Sequence, residues 1–168
     1  MITCYFENKH KAFLRHVVFD AFVVKNNKIL LIKRAKYLRE GGKYALPGGF
    51  LERGERITQG TLRELKEESG YEGKIITLFR INDDPKRRNE IYQNVSFIFL
   101  VKVGKKTGKH DKETEEVRWF DLDNLPNPKN IAFDHYENIM LYKKWKKGKF
   151  DLPIFDQIKL HKQHAAVV

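Results

Sequence analysis

Glu64, Glu67 and Glu68 lie in the run RELKEES, with Thr58 ahead of it and Gly70 behind, a pattern that predicts a helix over 58–69. At about 100° per residue the three carboxylates share an arc of roughly 100°, while Thr58, Leu62, Leu65 and Ser69 share the other side. The apolar side can then face a core while the carboxylates face outwards together. Glu64 and Glu68 form an i,i+4 like-charge pair that opposes an isolated helix by about 0.2–0.5 kcal/mol, and Arg63 relieves only part of this through Glu67. A cation is expected to offset the rest. Oxygen ligands on one rigid face suit a hard divalent ion, Mg²⁺ above all and Mn²⁺ as a substitute, which keeps waters that substrate phosphates can replace. The bland alternative is a charged, solvated helix face.

Such a cluster is unexpected in a chain of 168 residues whose 33 Lys and Arg exceed its 22 Asp and Glu, a formal net charge of +11. That surplus points to a phosphate-bearing partner, and much of it sits in GKKTGKHDK (104–112) and KKWKKGK (143–149). The length allows one well-buried core, so a single domain over 1–168 is expected, with its core at about 14–147 and the tail 150–168 unassigned. No stretch approaches the roughly 18 apolar residues of a membrane span, and the first residues are charged where a signal peptide is apolar. The expectation is a cytoplasmic protein with no membrane partner. Cys4, the single cysteine, permits no internal disulfide and no multi-cysteine zinc site.

The elements that must position the glutamates alternate between strand and helix. HVVFDAFVVK (16–25) and KILLIKR (28–34) are β-branched, apolar runs around Asn26-Asn27 and predict a hairpin. Further strands are expected at 74–80, 92–103 and 116–120, the longest ending at the turn residues Gly104 and Gly108. After the loop DNLPNPKN, Asp134 and Glu137 predict the opening of a last helix that runs to about Lys147. The sum is an α+β chain, a mixed sheet between helices in an α/β/α sandwich.

Gly49, Glu55 and the run Arg63-Glu64-Leu65-Lys66-Glu67-Glu68-Ser69-Gly70 resemble the signature of the Nudix hydrolase superfamily. Tyr71 departs from it where an aliphatic residue is usual, and Gly60 and Thr61 stand where better helix formers are usual. LPGG (46–49) and VRWFDLDNLP (117–126) resemble that family's flanking segments. The resemblance implies Mg²⁺-dependent hydrolysis of a nucleoside diphosphate linked to another moiety. It makes Glu64, Glu67 and Glu68 the metal carboxylates and the backbone carbonyl of Gly48 or Gly49 a further ligand. It also makes Arg63 and Glu55 a structural ion pair that aims the helix.

For the general base the resemblance leaves a motif glutamate or a later acid, here Glu113 or Glu116. Candidate substrate contacts are Arg34 and Tyr44, Arg87 and Arg88 in the segment 81–94, and Asn130. ALPGGFLERGE, with DDPKRR, favours ADP-ribose or a related nucleotide sugar as the small-molecule substrate. The alternatives are a nucleoside triphosphate pyrophosphatase of the sanitising kind, and an RNA 5′-end hydrolase or RNA-binding module. A homodimer is compatible with the chain. The histidines show no mutual spacing that suggests a site.

Overall fold

The computed structural model describes residues 2–87 and 91–155. Arg88 and the tail beyond 155 lie outside the described residues. The strands are β1 (Ile2–Tyr5), β2 (Lys11–Leu14), β3 (Val17–Lys25), β4 (Lys28–Arg34), β5 (Tyr44–Ala45), β6 (Gly48–Phe50), β7 (Tyr71–Asn82), β8 (Val95–Lys106), β9 (Thr114–Asp121) and β10 (Ile154–Phe155). The helices are α1 (Ile57–Ser69) and α2 (His135–Lys147), with a short 3-10 turn at Pro128–Asn130. β1 and β2 pair only with each other, a hairpin beside the main body.

The expected β3–β4 hairpin forms, with Asn26 and Asn27 both at positive φ (50° and 59°), the geometry a tight two-residue turn requires. Its strands pair only at Val24–Ile29 and Lys25–Lys28 and then part. β3 continues into a mixed layer, parallel to β8 and antiparallel to β6, while β4 pairs antiparallel with β9 and β5. β7 completes the first layer against β8, and β10 adds a short parallel edge to β7. β8 does not stop at Gly104 as expected but runs through it to Lys106, which pairs with Tyr71 of β7 across a register shift.

Both faces of β3 are covered, which is why its sequence is a continuous apolar run. Phe19, Ala21 and Val23 pack with Leu65 of α1, while Phe22 packs with Ile139 of α2. The α/β/α sandwich follows from this two-sided burial. α1 begins at Ile57, one residue before the expected start, and its N-cap is Arg56 rather than Thr58, the Arg56 backbone N–H donating to Gln59 Oε1 at 2.9 Å. Gly70 ends the helix at φ 74°, its N–H bonding Lys66 O at 2.8 Å.

Gly60 is not a packing defect. A Cβ there would meet Phe19 Cζ at 2.5 Å and Glu55 Oε2 at 2.6 Å, so glycine is what lets α1 approach β3.

Candidate active site

Glu68 corrects the picture of three outward carboxylates. It is 3% exposed, because α1 turns that edge of its acidic arc towards β6. There the Gly48 N–H donates to Glu68 Oε2 at 2.8 Å. Burial pushes the Glu68 carboxyl up to about 8; the Gly48 hydrogen bond and the Arg34 charge oppose this, and the charges of Glu64 and Asp111 reinforce it. Glu64 is also raised, first by burial and then by Glu67 and Glu113, against the pull of Arg63. Glu67 remains half exposed.

Arg63 organises the remaining acids. Its Nε and Nη2 meet the two oxygens of Glu55 at 2.8 and 3.2 Å, and its Nη1 reaches Glu64 at 2.8 Å and Glu67 at 2.9 Å. The hydrogen bonds from Arg63 hold the Glu55 carboxyl below its usual range. This bidentate pair fastens the loop before α1 to the helix.

Glycine at 48 is a steric requirement of the backbone, and glycine at 49 leaves Glu64 its position. A Cβ at Gly49 would lie 2.2 Å from Glu64 Oε1, and one at Gly48 would lie 2.2 Å from Phe19 O. Among the described residues no three acidic, histidine or cysteine side chains already form a metal cage, since Arg63 holds Glu64 and Glu67. The donors nevertheless fit a hard divalent cation. They are all oxygens, they include a carboxyl buried beside Gly48, and bare backbone lies directly beside them.

The candidate general bases separate in space. Glu116 accepts from the Tyr44 hydroxyl at 2.9 Å, and Tyr44 packs edge-on against Phe120 with ring centroids 4.7 Å apart. Glu113 is exposed and its charge acts on Glu64. Asp111, which the sequence did not single out, donates its backbone N–H to Glu67 O at 2.8 Å, and its charge bears on Glu68.

Beside Gly48 and Gly49 opens a cavity of about 120 Å³, lined among others by Arg34, Arg87, Phe133, Asp134 and His135. Of the candidate substrate contacts, Arg34 and Arg87 line this pocket, whereas Tyr44 and Asn130 are not among its lining residues. Beneath it lies a buried polar network absent from the sequence reading. Leu46 N–H donates to His135 Nδ1 at 2.9 Å, which leaves the proton on Nε2, 3.4 Å from Asp20 Oδ1. Ser96 donates to Asp20 Oδ2 at 2.9 Å. Burial raises the Asp20 carboxyl, against the opposing effect of His135. The signal was present: Asp20 is the only acid inside the apolar run HVVFDAFVVK.

Fold and site together define a hydrolase of phosphorus-containing acid anhydrides. The NUDIX domain model matches residues 14–142, and the chain belongs to the Nudix hydrolase family. It is 38% identical over 143 residues to an ADP-ribose pyrophosphatase of Methanocaldococcus jannaschii, covering 83% of this chain and 80% of that protein. It is 32% identical over 117 residues to the 8-oxo-dGDP phosphatase NUDT18 of Homo sapiens, covering 67% of this chain but 34% of that one. A solved NUDIX hydrolase of Nitrosomonas europaea shares the fold with a TM-score of 0.74 at 24% identity, covering 92% of this chain and 91% of that one. No helix among the described residues is long and apolar enough to cross a membrane.

Proposed function

We propose that this Nudix pyrophosphohydrolase uses Mg²⁺ to cleave ADP-ribose or a related nucleoside-diphosphate sugar into two monophosphates. The observation that carries the substrate class is the similarity to an ADP-ribose pyrophosphatase along four-fifths of both chains. The observation that carries the metal is Glu68, a carboxyl buried against Gly48 whose ionisation burial disfavours and a bound cation would favour.

Glu64 and Glu68 would hold the cations, with Glu67 at the exposed side, and these would supply charge neutralisation for the diphosphate and a lowered pKa for an attacking water. Arg63 keeps Glu64 and Glu67 aimed through the Glu55 anchor. Arg34, whose charge reaches Glu68, holds a substrate phosphate. Glu113 stands on the Glu64 side and takes the proton of the attacking water.

The nucleotide-sanitising reading has one observation in its favour, the similarity to an 8-oxo-dGDP phosphatase, and that covers a third of the relative. A product-release assay decides between them. ADP-ribose, nucleotide sugars, ordinary and oxidised nucleoside di- and triphosphates and 5′-triphosphate RNA are each offered with Mg²⁺ and with chelator. Chelator-sensitive release of AMP from ADP-ribose, in preference to all others, supports the proposal. Preference for an oxidised nucleotide transfers support to sanitation.

A further inference from the structure

Two adjacent residues on the pocket wall break local rules of chain geometry. Phe133 has φ 50°, a left-handed conformation that a bulky aromatic rarely adopts. Asp134 is the N-cap of α2, yet its side chain makes no cap hydrogen bond. Its carboxylate turns instead to Asn82 Nδ2 at 2.5 Å and lies 3.8 Å from Arg87 Nη1, both at Oδ2, and it is only 2% exposed.

A lost cap and a left-handed aromatic each cost stability, so the fold maintains this arrangement against local preference. The surroundings over-determine it. Ala132 N–H is tied to Tyr44 O at 2.8 Å, and the Arg34 guanidinium lies over the Phe133 ring at 5.3 Å. Neighbouring violations that line one cavity mark a place shaped for a ligand.

Building on the nucleotide-sugar reading above, we propose that Phe133 and Asp134 form the subsite for the sugar beyond the second phosphate, with Asp134 accepting its hydroxyl groups. Asp20, the other acid on this wall, has both oxygens engaged, by Ser96 and His135, whereas Asn82 and Arg87 both meet Asp134 at Oδ2, so Asp134 Oδ1 is the acceptor on this wall. Hydroxyls donate to a buried carboxylate, whereas a phosphate anion has no proton to donate to Asp134 Oδ1. Arg34 meets the preceding phosphate at the Glu68 side, and Phe133 lines the pocket beside it. The subsite therefore favours a hydroxyl-bearing group after the diphosphate.

The test uses the full chain and two substrates, ADP-ribose and the P2-methyl ester of ADP, which keeps the diphosphate and lacks the sugar. Asp134→Asn is expected to lower kcat/KM for ADP-ribose at least about tenfold more than for the methyl ester, mainly through KM. Equal losses on both overturn the subsite while leaving the nucleotide-sugar activity standing. Should this variant not fold, the wild-type enzyme is assayed with ADP-ribose lacking the terminal-ribose 2- and 3-hydroxyls. A loss of about tenfold or more supports the subsite, and undiminished kcat/KM refutes it. A wild-type enzyme that prefers nucleoside triphosphates to both diphosphate substrates overturns the substrate reading and the subsite with it.

Discussion

The Gly48 amide donates to the Glu68 carboxyl at 2.8 Å, joining the glycine strand to the helix at the one motif glutamate that is buried. Glu68→Gln keeps the acceptor for that amide and removes the charge. Turnover is expected to fall by about a hundredfold or more, with Tm unchanged or raised because a desolvated acid becomes a neutral amide. Steady-state kinetics with Mg²⁺, alongside thermal melts, check this; near-normal turnover removes Glu68 from the metal site.

The same burial makes stability depend on pH. An unfolded glutamate ionises near 4.5 and folded Glu68 at about 8, so between these values the unfolded chain binds fewer protons than the native one. Metal-free stability contributed by this group is therefore intact below 4.5 and declines as pH rises towards 8. Melts of the metal-free protein should show a decline across this window that Glu68→Gln lacks. Mg²⁺ should raise Tm more at its upper end than at its lower, since binding must displace the Glu68 proton at low pH.

Arg63→Lys replaces a guanidinium that meets Glu55, Glu64 and Glu67 at once with a point charge. Activity and stability should fall together, the latter by about 1–2 kcal/mol. Urea melts and kcat on the same sample separate the outcomes, and a kinetic defect at full stability contradicts a positioning role.

Gly60→Ala sets two effects against each other. Helix propensity gains about 1 kcal/mol, while a Cβ at 2.5 Å from the Phe19 ring overpacks the core by roughly 1–3 kcal/mol. Phe19 is fully buried and cannot give way, so net destabilisation is expected in chemical denaturation. A more stable variant would show that α1 can move off β3.

The two candidate bases should respond differently. Glu113→Gln is expected to lower kcat by about a hundredfold or more. Glu116→Gln, which perturbs a hydrogen bond to Tyr44 at the far side of β5, should change kcat by less than about threefold. Reversal of that order in a kcat comparison at saturating Mg²⁺ would return the base to Glu116.

The sequence by itself determined what local chemistry determines. Apolar runs specified β3 and β4, the Asn26-Asn27 pair specified their turn, and Gly70 specified the helix stop, because each depends on the preferences of a few adjacent residues. The spacing of Glu55, Arg63, Glu64, Glu67 and Glu68 brought the motif into view for the same reason: one helix and its leading loop carry it. Burial could not be read this way. On a helical wheel Glu68 belongs with Glu64 and Glu67, and only the approach of β6 to α1 takes it out of water and raises its carboxyl. Gly60 looked like a weak point until Phe19 was placed against it. The pocket wall lay furthest from reach, because Asp20, Ser96, Asn82, Phe133, Asp134 and His135 come from four elements and the loop before α2, and only the packing of α2 across the sheet brings them together. Long-range contact decides desolvation, and desolvation decides which polar residues do chemistry.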